Sequence, residues 1–383
     1  MNYLVLVAQK HIAVDGPGDC SHKVHEKVGF DYLGLDWKDT LDLLRFFDGW
    51  SQFRIMNSAA SPPPGRIYFA AIANGMGDLI VCLPALQWLI STSVPVVLVL
   101  RSPEQAGLAG RIEGLAGTIE EVDFDEGSLG DDEVYINMRA HPLQADHIWG
   151  SAEFESKYPG YKIIDVLKGI GADWRIGADY DELVPLPHKT VAACCDKILL
   201  IPGSAGRVKC WPTQHWFSLA KELEKDGLDC LVLGQPEKCD IVAELTGVAA
   251  SGGATPVLPH FPTPTLADAL DAISSARLVV AVDTGLMHMA LHQGIATVAL
   301  FRSNTMFLRP GFHCRNLVAP QCDPACLKQE FSAVPNRMLN YKKGNESYAY
   351  WKTWDCALPN PAERCMSRIH VAEVYGAVRE LLF

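Results

Sequence analysis

Residues Arg277 to Arg302 read RLVVAVDTGLMHMALHQGIATVALFR, and the rest of the chain takes its sense from them. Leu278–Val282 is a short β-branched run of the kind that forms a buried parallel strand. Asp283, Thr284 and Gly285 stand at its carboxyl end, Leu286–His292 continues at helical spacing, and Ala296–Leu300 is the next buried strand. This is a β–turn–α–β unit with a glycine where the chain must turn into a helix. In open α/β sheets ligands bind at the carboxyl ends of strands, and a helix N-terminus attracts phosphate through its N–H groups. Thr284 and Gly285 offer a hydroxyl and bare backbone N–H groups there. Asp283 is an anion that repels phosphate, so it either meets sugar hydroxyls or a substrate amine, or only caps the helix.

The totals set bounds on this unit. A chain of 383 residues exceeds one ordinary core and suits two domains. It is 49% hydrophobic and 20% charged, as soluble globular proteins are. No apolar run reaches the roughly 18 residues of a membrane span, so stable membrane insertion is not expected. Met1–Lys10 lacks the basic start and small-residue cleavage site of a signal peptide. With 12 scattered cysteines, the expectation is a reduced, cytoplasmic protein. A net charge of −12 argues against nucleic acid and anionic membrane as partners. Eight acidic side chains between Glu120 and Glu133 read as a solvated face.

The β–turn–α grammar recurs on both sides. Residues 1–65 read as an N-terminal extension or small domain, with Tyr3–Ala8 as a strand, Trp37–Phe47 as a helix and Ser61–Gly65 as a stiff linker. Arg66–Ala73 opens a first Rossmann-like domain over 66–185. Asn74–Asp78 is its first turn and Leu79–Ile90 an apolar helix, with Pro84 either bending it or marking its first turn. The third glycine of a dinucleotide fingerprint is replaced by Ile80, and Asp78 puts a carboxylate where a pyrophosphate would go, so a dinucleotide is not expected here. Asp78 reads either as a helix cap or as a general base whose low basicity suits a late proton transfer. Val94–Leu100 and Val134–Asn137 are further strands, and Tyr161–Ile170 a helix. Arg139, His141 and His147 fall in a loop, as acceptor contacts or as plain surface residues.

Asp181–Lys189 reads as the crossover into a second Rossmann-like domain over 186–320, opened by the strand Lys197–Ile201. Pro202–Arg207 is a small-residue loop suited to close approach of phosphate, and Lys209 just beyond it is either a diphosphate partner or a surface lysine. Gln214–Glu224 is a helix, Cys230–Leu233 a strand ending near Glu237, whose carboxylate suits a ribose diol, and Leu266–Ser274 a helix. In the segment 321–366, Cys322, Cys326, Cys356 and Cys365 form C-x3-C-x29-C-x8-C, either a tetrathiolate finger for Fe or Zn or free or disulfide-paired cysteines. A terminal helix over Ile369–Leu382 lies in the last segment, 367–383. The fold class expected is α/β, two doubly wound domains facing a central cleft.

Four pieces in the right order resemble glycosyltransferase family 9, the heptosyltransferases. They are Gly77-Asp78-Leu79-Ile80 with Leu83-Pro84-Ala85-Leu86, then Pro202-Gly203-Ser204 with Lys209, Trp211-Pro212 and Trp216-Phe217, then Asp283–His288, and finally Arg364-Cys365-Met366 through Ile369. The match spans roughly residues 66–383. The resemblance implies a GT-B fold and an inverting transfer of heptose from ADP-heptose to an acceptor hydroxyl, with no metal needed for the chemistry. It implies Asp78 as the base, Ser204 and Lys209 on the diphosphate and Glu237 on the ribose. Asp283 falls on the transferred sugar, Thr284, Gly285 and Leu286 at the phosphates, and His288 nearby. The four-cysteine tail resembles the autotransporter heptosyltransferases, which bind iron and modify protein hydroxyls. A protein or glycan acceptor and a homo-oligomer are therefore expected.

Overall fold

The computed structural model describes residues 2–5, 54–57, 64–71, 74–137, 184–204, 206–248, 257–302, 313–320, 360 and 363–383. The chain divides into two compact units, Met1–Glu182 with Leu327–Gly344, and Leu183–Cys326 with Asn345–Phe383. The helices expected at 37–47 and 161–170 lie outside the described residues.

In the first unit, β1 (Asn2–Val5) and β2 (Arg54–Asn57) form a short antiparallel pair. The main sheet of this unit is parallel. Its members are β3 (Arg66–Ala70), β4 (Val96–Leu100), β5 (Gly117–Glu120) and β6 (Glu133–Asn137), in the order β5-β4-β3-β6. Between β3 and β4 runs α1 (Met76–Ser91), and α2 (Pro103–Ala109) follows β4. Helix α1 is buried along most of its length, from Leu79 through Leu86. It starts three residues earlier than its apolar run suggests, because Asp78 at its third position turns back to accept the Gly75 N–H at 2.9 Å. Pro84 consequently lies in mid-helix rather than in the first turn.

The second unit holds a six-stranded parallel sheet: β7 (Ile198–Ile201), β8 (Cys230–Leu233), β9 (His260–Phe261), β10 (Leu278–Val282), β11 (Thr297–Phe301) and β12 (Cys314–Val318). The helices are α3 (Thr213–Lys225), α4 (Asp240–Thr246), α5 (Leu266–Ser274), α6 (Gly285–His292) and α7 (Val371–Leu382). The strand order is β12-β11-β10-β7-β8-β9. That is the doubly wound order of a dinucleotide-binding fold, and the direction of winding reverses between β7 and β10. Both flanking strands are buried on both faces, which is why they read as unbroken apolar runs. α7 packs on α3, and the buried Trp211 donates its indole N–H to the Ile369 carbonyl at 2.9 Å. The entering segment is braced in turn. Leu186 exchanges two hydrogen bonds with the Gln293 side-chain amide, and the Lys189 N–H donates to Asp271 Oδ1. These bonds fasten an extended stretch to α5 and α6 without a strand.

Candidate active site

Register decides which residues meet at the second sheet's edge. Ala281 pairs with Ile201, so the loop leaving β7 and the turn leaving β10 emerge side by side at the carboxyl ends. Two tethers join them. The Ser204 hydroxyl donates to the Asp283 carbonyl at 3.0 Å, and Lys209 Nζ donates to Asp283 Oδ2 at 2.7 Å. On the other carboxylate oxygen, His288 Nε2 stands 3.6 Å from Asp283 Oδ1. The Asp283 side chain is only 12% exposed and His288 6%, whereas Lys209 keeps 28%.

Burial by itself raises the Asp283 carboxyl, but the charge of Lys209, its hydrogen bond and the nearby His288 imidazole outweigh it and hold the group well below the usual carboxylate range. Asp283 is therefore an anion throughout the neutral range. It is not the cap of α6: that place belongs to Thr284, whose side chain makes no capping bond. The capping alternative for Asp283 gives way to an ion pair because Lys209 lies within reach across the switch point. The N–H groups of Thr284, Gly285 and Leu286 open α6, where an α-helix has no internal acceptors for its first N–H groups. The site thus combines an ammonium, a helix N-terminus and a small-residue loop, which is chemistry for a diphosphate.

The loop after β7 needs its glycine. A Cβ on Gly203 would lie 3.0 Å from Cys239 Sγ, at the limit of real contacts. Glu237 sits exposed in the turn after β8, one strand further along the same edge. That turn is held by Gln235, whose Nε2 donates to the carbonyls of Thr263 at 3.1 Å and Pro264 at 3.3 Å. The structure therefore gathers Ser204, Lys209, Asp283 and His288 with Thr284–Leu286, and places Glu237 in the turn after the neighbouring strand.

In the first unit, Asp78 stands at the start of α1, beyond the carboxyl end of β3. A Cβ on Gly75 would lie 2.7 Å from Asp78 Oδ2, so any side chain there requires the carboxylate to shift. Neighbouring side chains fix the turn. Ser102 Oγ donates to the Asn74 carbonyl at 2.6 Å, and Gln105 Nε2 donates to the Gly75 carbonyl at 3.3 Å while its Oε1 accepts the Arg101 N–H at 3.0 Å. Reasoning from sequence missed Ser102 and Gln105. Ser-Pro-Glu-Gln at 102–105 is a capping-box pattern that marks them as a helix start, though not as the brace of a turn 28 residues away. Arg139, His141 and His147 lie outside the described residues, as do Cys322, Cys326 and Cys356. Cys365 is buried in a 3-10 turn, Cys365–Arg368. Among the described residues no group of three or more metal-binding side chains gathers, and no helix is long and apolar enough to cross a membrane.

Comparison with known proteins follows the same geometry. The model of glycosyltransferase family 9 (heptosyltransferase) matches residues 176–320, the stretch from the entry segment through β12. No curated protein sequence matches the chain. A glycosyl transferase family 9 structure from Veillonella parvula aligns at 15% identity and TM-score 0.56, over 84% of this chain and 98% of that one. The ADP-heptose lps heptosyltransferase II of E. coli aligns at 15% identity and TM-score 0.51, over 83% and 98%. The iron-containing dodecameric glycosyltransferase TibC from enterotoxigenic E. coli aligns at 13% identity and TM-score 0.52, over 86% and 82%. At these identities the structures speak for the fold. The resemblance to family 9 is borne out, and with it the enzyme class: the chain is a glycosyltransferase.

Proposed function

We propose, on the premise that residues 176–320 are a family 9 glycosyltransferase domain, that this chain is an inverting heptosyltransferase of the GT-B class. Its donor is ADP-heptose and its acceptor a hydroxyl on a protein. The observation that carries the reading is the ion pair of Lys209 with Asp283 at the opening of α6, on the switch point of the second sheet.

The residues divide the work by charge. Ser204, Lys209 and the N–H groups of Thr284, Gly285 and Leu286 take the diphosphate, Glu237 the ribose, and Asp283 the sugar side of the ammonium. Asp78 removes the acceptor proton as the acceptor oxygen attacks the anomeric carbon. The bond from that carbon to the distal phosphate oxygen breaks, and ADP leaves from the opposite face, so the configuration inverts. Negative charge grows on the departing diphosphate, where Lys209 and the helix N-terminus oppose it. This account routes no step through a metal. Arg139, His141 and His147 are assigned to the acceptor.

The cysteine tail is assigned a structural role. Cys322, Cys326, Cys356 and Cys365 would hold Fe or Zn as four thiolates, a donor set both metals accept. Metal analysis of the purified chain tests this, with bound metal expected to fall to background in Cys322→Ser. A cytoplasmic enzyme that forms homo-oligomers completes the proposal.

A thermal-shift series with ADP-heptose and matched GDP-, UDP- and CDP-sugars tests the donor. A ligand that binds only the folded chain raises the melting temperature, by about 2.7 kcal/mol of stabilisation at a hundredfold excess over Kd. The expected result is a selective shift with ADP-heptose. A shift with another sugar nucleotide alone would overturn that donor.

A further inference from the structure

We infer that His288 is a positioning residue that acts through Asp283, fixing the carboxylate that in turn holds the Lys209 ammonium. The inference rests on the donor-site reading above, in which Lys209 meets the diphosphate.

The geometry separates the three side chains by access. Lys209 is 28% exposed and His288 6%, so an incoming diphosphate has a path to the ammonium and little to the imidazole. Each oxygen of Asp283 has its own partner: Oδ2 faces Lys209 at 2.7 Å and Oδ1 faces His288 at 3.6 Å. With Thr284 as the cap of α6, Asp283 is the residue before the cap and His288 the fourth residue of the helix. Those two places are where an apolar pair often packs and sets the angle at which the chain enters the helix. Helical side chains tilt toward the N-terminus, which brings the His288 ring back over that turn. Here an acid–imidazole pair replaces the apolar one. One contact therefore sets two things at once: where the Asp283 carboxylate points, and how the N–H groups of Thr284–Leu286 are aimed.

Among the described residues, the charged and titratable groups that face Asp283 are Lys209, from the loop after β7, and His288, from α6. Both lower its carboxyl. A carboxyl lowered by folding contributes stability that is present above its unfolded value, near 4, and is lost as pH falls through the folded value. Removing His288 raises the folded value, so less stability is lost to acid and the loss is complete at a higher pH.

The test uses the full-length chain with His288→Leu, His288→Gln and Asp283→Asn. Unfolding free energy is followed from pH 7 down to pH 2, and KM and kcat are measured with ADP-heptose. In His288→Leu the acid-induced loss is expected to be smaller and to level off at a higher pH than in the parent, and donor KM to rise about tenfold with kcat within about threefold. His288→Gln keeps an N–H donor and is expected to recover most of both effects. In the Asp283→Asn background, His288→Leu is expected to change neither quantity further, because coupling runs through the carboxylate. An unmoved pH curve in His288→Leu, or an equal KM rise with and without Asp283, overturns the inference. Should ADP-heptose not be turned over, the donor reading fails while the pH curve still decides the role of His288. Should His288→Leu fail to fold, the glutamine and asparagine variants carry the comparison.

Discussion

Asp78 and Asp283 are two carboxylates in matching places with opposite surroundings. Each follows a strand that flanks its own sheet's reversal of winding, β3 in one unit and β10 in the other. Asp78 accepts a hydrogen bond from a neutral peptide N–H, that of Gly75. Asp283 lies between an ammonium and an imidazole. A group that must take up a proton during turnover is poorly served by cations, which favour its charged form. A group that must stay charged is well served by them. The same residue type beside a reversal of winding is thus suited to a base in one unit and to a fixed counter-ion in the other.

Removing each carboxylate should show this division. Asp78→Ala is expected to lower kcat by about 10²–10⁴, the usual contribution of a general base, with donor KM little changed. Steady-state kinetics with varied donor check it, and a KM effect equal to the kcat effect would erase the contrast. Asp283→Asn is expected to cost about 3 kcal/mol at pH 7, since it leaves a half-buried ammonium without its counter-ion. By the linkage argued above the cost should shrink below pH 4, and urea titrations at pH 7 and pH 3 measure it. A cost that grew toward acid would mean that Lys209 is not held by this carboxylate.

Smaller effects probe what surrounds the first carboxylate. Gln105→Leu strips two buried backbone partners, at Arg101 and Gly75, and is expected to cost about 1–3 kcal/mol. Gly75→Ala displaces the Asp78 carboxylate from its present position and is expected to cost about 1–2 kcal/mol. Both should also depress kcat more than KM if the turn exists to aim Asp78. Denaturation and kinetics on the same preparations separate the two consequences.

Much of the fold is legible locally. Strands β8 and β10 and helix α5 fall on the residues expected of them, because a doubly buried strand is a continuous apolar run and α5 carries a Thr265–Asp268 capping box. The turn at Asp283–Gly285 is also legible, since a glycine stands where the chain passes from strand into helix. Less legible is the start of α1. There an aspartate that looks like part of a turn is drawn into the helix by its own hydrogen bond.

The sequence by itself determines the elements, the alternation of strand and helix, and the residue types waiting at the strand ends, because each depends on neighbours within a few positions. Only the tertiary structure decides that β7 lies beside β10, and so that Lys209 meets a carboxylate 74 residues away. Whether Asp283 is a cap or a counter-ion turns on that one pairing. The interaction that settles it is electrostatic and non-local, and no pattern along the chain encodes which cation the fold will bring to which anion.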